Sequence, residues 1–223
     1  MAASEKIVQL RRLLEEKHGV RSLWDAAALR TGLDCLDRLA LPQGSLVEVV
    51  ADPRAPGGAL LLAALLKAAA PEHRLALIDG RDAFDPAGMA PGVRLLWVRC
   101  ADAVQAAKAA DLVVRDGNLS LAVLLLTLNP PAELRRIHAN TWHRLQMLAE
   151  KSGTSLLAFT PSAQVGNAKV RLSVSGRFPL GSVEVARARL EPNLAVAVER
   201  RRVATGGSTG ESDAFAVRRA VGA

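Results

Sequence analysis

The chain has 223 residues, half of them hydrophobic, and a formal net charge of +7. That length suits one well-buried core and is short for two independent domains. With no Tyr and only seven Phe and Trp the core must be aliphatic, no apolar run approaches the ~20 residues of a membrane span, and the N-terminus lacks the apolar stretch of a signal peptide, so a cytoplasmic protein is expected.

In chain order, residues 4–18 place Ile7, Leu10, Leu13 and Leu14 on one side of a helix, with Arg11, Arg12, Glu15, Glu16 and Lys17 opposite. Such a helix docks on its own core or on a neighbouring chain, which makes these four residues the candidate partner or self-association surface. Leu33, Leu36 and Leu39 give a second helical period, and residues 42–44 turn the chain into a strand over 45–50. Next comes the loop Ala51, Asp52, Pro53, Arg54, Ala55, Pro56, Gly57, Gly58, followed by an apolar helix over 59–70. Strand, Gly-bearing loop and helix is the layout of a phosphate-binding loop. That chemistry needs a lysine for the outer phosphates and a hydroxyl for the metal, and no placement of the GxxxxGK[ST] template supplies either here. The expectation is a degenerate loop that does not turn over nucleotide.

Strands are then expected over 75–78, 95–98, 119–128 and 155–159, with helices over 101–110 and 133–151. Alternating strands and helices imply a parallel sheet with right-handed crossovers. From Lys169 onward the pattern turns to period two over 170–174 and 194–198, the mark of antiparallel strands at a sheet edge, while residues 204–223 read as a flexible tail. The domain plan is therefore an N-terminal helix and connector over 1–23, a core over 24–203 and a tail over 204–223.

Charge is concentrated at one end: residues 169–223 hold ten Lys and Arg against five Asp and Glu. Nine of those ten are Arg, the residue suited to bidentate phosphate contacts. Arg171, Arg177, Arg200, Arg201 and Arg202 are the candidates for contact with DNA or an acidic partner, the alternative being a solvated face. Phe178 is the only ring near them, too little for base stacking, so any DNA affinity is expected to be modest. Cys35 and Cys100 are read as small buried hydrophobes. His138 and His143 lie five apart without a completing ligand, and Asp79, Asp82 and Asp85 are read as strand-end and turn residues rather than a Mg2+ site. No GxSxG context marks a nucleophile, so neither a catalytic residue nor a metal nor a cofactor is expected.

Thr31-Gly32, then LDCLD at 33–37 and LPQGSLVEV at 41–49, resembles the approach to the ATPase core of RecA-type recombinases. The stretch LIDGRDAFDP at 77–86 is similar to the segment of that core bearing the catalytic glutamate, whose position falls at Arg81. The resemblance runs over roughly residues 30–200 and implies an α/β, three-layer RecA-like core with a mostly parallel sheet, antiparallel edge strands near the C-terminus and an N-terminal amphipathic helix. Against it stand the missing lysine and hydroxyl, Arg81, the absence of an acid after Leu126, and a short segment, TPSAQVGNAK at 160–169, where recombinases carry a long DNA-binding loop.

The size, N-terminal helix, loop and basic C-terminal end resemble the ImuA-type accessory proteins of bacterial mutagenesis cassettes. That resemblance implies a non-catalytic adaptor in the DNA damage response, acting in translesion synthesis and SOS mutagenesis. Its implied partners are an inactive Y-family polymerase homologue, a RecA-type recombinase, or both, with single-stranded DNA as a further target and a nucleoid association when DNA is bound. Two alternatives share the scaffold: a nucleotide-dependent ATPase with an unorthodox loop, in which Gly57, Gly58 and the helix N-terminus still hold an anion, and a SulA-type division inhibitor.

Overall fold

The computed structural model describes residues 28–69, 75–86, 89, 93–176, 178, 180–190 and 194–202. The N-terminal helix with Ile7, Leu10, Leu13 and Leu14, the tail 204–223 and Arg177 lie outside the described residues.

The chain order is α1 (Asp34–Asp37), β1 (Leu46–Ala51), α2 (Gly57–Ala69), β2 (Leu75–Asp79), β3 (Leu95–Arg99), α3 (Ala103–Asp116), β4 (Leu121–Leu125), α4 (Pro131–Leu134), α5 (Ala139–Ser152), β5 (Ser155–Thr160), β6 (Val170–Ser175), a 3-10 turn (Leu180–Glu184), α6 (Arg187–Leu190) and β7 (Ala195–Arg201). One seven-stranded sheet runs β3-β2-β4-β5-β1-β6-β7. Every pair is parallel except β6–β7, which is antiparallel and supplies the edge expected from the period-two segments. β6 is the seam, parallel to β1 on one side and antiparallel to β7 on the other.

The central strands read as unbroken apolar runs because both faces are covered. The alternation is plain in β5: Leu157 and Phe159 point into the layer shared with α2, and Leu156 and Ala158 into the layer shared with α3 and α5. α2 is apolar nearly all round, and Leu61 and Leu65 are fully buried in its layer. α3 begins at Asp102, whose side chain accepts from the Gln105 N–H, and ends at Gly117 in the left-handed region.

One expected helix is two. The pattern over 133–151 predicts a single amphipathic helix, but α4 stops at Leu134 and α5 restarts after His138, whose backbone is extended. Ile137 and Trp142 are both buried, yet five residues on one helix are ~140° apart and would not share a face. The break lets both enter the core. The short α1 also has a reason: the Asp37 carboxylate accepts from the Thr31 N–H and hydroxyl, each at 2.8 Å, and from the Gly32 N–H at 3.2 Å. The TG pair and the LD motif are the two halves of one closed turn.

Candidate functional site

The C-terminal ends of parallel strands are where an open α/β sheet offers a ligand crevice. Here β1, β2 and β4 end around a cleft of about 430 Å³ beneath the loop 52–56. Asp52 starts that loop as a turn residue, its Oδ1 accepting from the Arg54 N–H at 2.9 Å and its carbonyl from the Ala55 N–H at 3.0 Å. Gly57 and Gly58 open α2 and press it onto the sheet. A Cβ on Gly58 would stand 2.7 Å from the Ala51 Cβ, and one on Gly57 would stand 3.2 Å from a Val174 methyl. Both side-chain positions therefore face the strands rather than the cleft, and the glycines serve close helix–sheet packing.

A phosphate-binding lysine cannot be restored there for the same reason. Gly58→Lys is expected to lower stability by roughly 1–3 kcal/mol, the usual cost of overpacking, without creating ATP affinity. Urea unfolding together with a nucleotide-binding titration checks it, and a variant as stable as its parent overturns it.

The cleft wall opposite α2 comes from the segment after β2. Asp79 is fully buried, and its Oδ1 accepts from the N–H groups of Arg81 (3.2 Å) and Ala83 (3.0 Å) while its Oδ2 accepts from Phe84 (2.9 Å). Asp82 forms an ion pair with Arg99, which holds its carboxyl below the usual value, and Arg99 lies 5.1 Å over the Trp97 ring, which meets Phe84 edge-on. Phe84 and Asp85 line the cleft. Arg81 turns elsewhere: its guanidinium donates to Glu133 Oε1 at 2.9 Å, and Glu133 Oε2 accepts from Asn129 Nδ2 at 2.8 Å. Among the described residues no group of three or more His, Cys, Asp or Glu is disposed to hold a metal ion. His138 occupies the N-cap position of α5, and burial pushes the thiols of Cys35 and Cys100 up, so both stay protonated near neutral pH.

The arginines of the C-terminal end gather at the opposite side of β1. Glu48, fully buried, accepts at Oε1 from the Thr160 hydroxyl (3.1 Å) and the N–H groups of Gln164 (2.6 Å) and Val165 (2.9 Å). Its Oε2 accepts from Arg171 Nε at 2.6 Å. Arg171 and Arg200 both donate to the Val165 carbonyl, at 3.2 and 3.1 Å, and Arg202 donates to the Gly166 carbonyl at 2.6 Å. Arg201 reaches across to the carbonyls of Leu39 and Ala40. Burial, with the neighbouring cations Arg171 and Arg202, pulls the Arg200 guanidinium below its usual value. Four of the five arginines read as DNA or acidic-partner contacts thus hold backbone carbonyls of the loop 165–166 or of residues 39–40. Arg201 and Arg202 also remain exposed.

Glu48 escaped the sequence reading, although a lone acid inside LVEVV is a signal, since a charge on a buried strand requires a partner. Neither a protein-family model nor a curated protein matches this chain. Among solved structures, the crystal structure of the RadB recombinase aligns with a TM-score of 0.55 at 18% identity, over 78% of this chain and 90% of that one. At that identity the likeness speaks to architecture, and the architecture is a RecA-like α/β fold.

Proposed function

We propose that this chain is a non-catalytic adaptor of the DNA damage response, built on a RecA-like scaffold whose β1–α2 loop is degenerate. The carrying observation is the loop itself. It contains no lysine and no hydroxyl, and the side-chain positions at 57 and 58 face Val174 and Ala51. The resemblance to ImuA-type proteins supports the finer assignment to translesion synthesis, with an inactive Y-family polymerase homologue or a RecA-type recombinase as partner and single-stranded DNA as a further target. Arg201 and Arg202 are the arginines best placed for the latter, since both stay exposed beside the basic seam.

Fluorescence anisotropy of labelled single-stranded DNA at two salt concentrations, with and without ATP and Mg2+, tests this reading. Expected is modest, salt-sensitive binding that ignores ATP, weakened in the Arg201→Ala, Arg202→Ala double variant, in which Arg171 and Arg200 still hold the Val165 carbonyl. ATP-dependent binding overturns the non-catalytic reading. Absence of binding at both salts removes DNA as a target and leaves a protein partner alone.

A further inference from the structure

A groove of about 900 Å³ lies on the face of the sheet away from α2, between the N-terminal halves of α3 and α5, with residues 135–138 of the α4–α5 break in its wall. Its floor is apolar. Val104, Ala107 and Ile137 line it beside Leu112, which is 65% exposed. Val104, Lys108 and Leu112 recur at four-residue spacing, so one ridge of α3 runs apolar, cationic, apolar.

The rim is cationic, and its cations are of two kinds. Arg144 pairs with Asp111, and Arg136 with Asp102 at 3.8 Å. Lys108 and Arg135 are exposed and have neither an ion pair nor a side-chain hydrogen bond among the described residues. Asp111, the one acid among the lining residues, is matched by Arg115 as well as Arg144, so it does not repel an anionic guest.

We propose that this groove docks an acidic segment of a partner protein, with an apolar side chain against Val104 and Leu112 and carboxylates on Lys108 and Arg135. Free cations beside an exposed leucine call for a guest that carries both an apolar anchor and negative charge. Nucleic acid supplies only the charge: no Phe or Trp lines the groove for a base to stack on, and phosphates gain nothing from Leu112. The chain's own ends lack the charge. Residues 4–18 hold four Lys and Arg against three Asp and Glu, and in 203–223 Glu211 and Asp213 are balanced by Arg218 and Arg219. A second copy, at a net charge of +7, is opposed in the same way. Because the groove and the β1–α2 loop belong to opposite faces of the sheet, the proposal stands whether or not that loop holds a nucleotide.

The probe is a fluorescein-labelled peptide of about twelve residues, with Leu and Phe at helical spacing and Asp and Glu elsewhere, titrated into the full chain and followed by anisotropy. Binding is expected to be salt-sensitive and roughly tenfold tighter than that of two control peptides, one with Asn and Gln for its acids and one with Ser for its Leu and Phe. Lys108→Glu with Arg135→Glu should remove this preference and transfer it to a peptide bearing Lys in place of the acids. Leu112→Ser should weaken the acidic peptide roughly tenfold while leaving its salt dependence unchanged. All three side chains are exposed, so the Tm of each variant should match the parent's. Equal binding by the parent and the Lys108→Glu, Arg135→Glu variant overturns the proposal, as does no preference for the acidic peptide. Displacement by excess single-stranded oligonucleotide would give the groove to nucleic acid, and tighter peptide binding in Glu211→Lys with Asp213→Lys would give it to the chain's own tail; either result overturns the proposal as well.

Discussion

Glu48→Ala is expected to destabilise the protein by about 3–5 kcal/mol, enough to threaten folding for a domain of ordinary marginal stability. The carboxylate is fully buried and carries four donors: the Thr160 hydroxyl, the amides of Gln164 and Val165, and the Arg171 guanidinium. Removing it strands a guanidinium that is only 16% exposed, together with two backbone N–H groups. Arg171→Met is expected to cost somewhat less, because Glu48 keeps its three neutral donors. The double variant Glu48→Leu, Arg171→Met should recover part of the loss, since an apolar pair replaces an ion pair at such sites at little cost. Urea unfolding of the four proteins closes the cycle, and a loss under about 1 kcal/mol for Glu48→Ala would refute the argument. The result also bears on the loop after β5. Its amides at 164 and 165 are bound to Glu48 from below and its carbonyls at 165 and 166 to three arginines, so the same arginines cannot be removed without releasing this loop.

That network shows where the sequence stops being readable. The strands over 75–79, 121–125 and 155–160 are visible as apolar runs because a doubly covered parallel sheet requires both faces to be hydrophobic, and the period-two change after Lys169 marks the antiparallel edge. The break in the helix expected over 133–151 is not visible, since Leu134, Ile137, Leu145 and Leu148 satisfy one helical stripe and only the burial of Trp142 demands it. Arg171 reads identically in sequence whether it faces solvent or a carboxylate 123 positions away. The cleft has the same difficulty. Asp52 follows β1 and Asp85 follows β2, and their presence at one cleft depends on the crossover that sets β4 and β5 between those strands. What the loop lacks, a lysine and a hydroxyl, is legible in its residues; that positions 57 and 58 point at the sheet follows only from the packing of α2.

Asp79→Ala is the second large effect, about 3 kcal/mol of lost stability. Three backbone N–H groups, those of Arg81, Ala83 and Phe84, converge on this fully buried carboxylate, and each unpaired buried donor costs about 1–3 kcal/mol, moderated here because the segment can shift toward water. Asp79→Asn keeps one acceptor oxygen and turns a donor toward an N–H, so its loss should be intermediate. A structural and a metal-binding aspartate separate cleanly in this measurement. If Asp79 held Mg2+, millimolar Mg2+ would raise the Tm of the parent and not of the variants; if it anchors the segment, Mg2+ leaves all three Tm values unchanged while their order stays parent, Asn, Ala. The anchored form is expected, because both carboxylate oxygens already accept from the segment's own backbone. The same substitution loosens the segment that carries Phe84 and Asp85, one wall of the cleft.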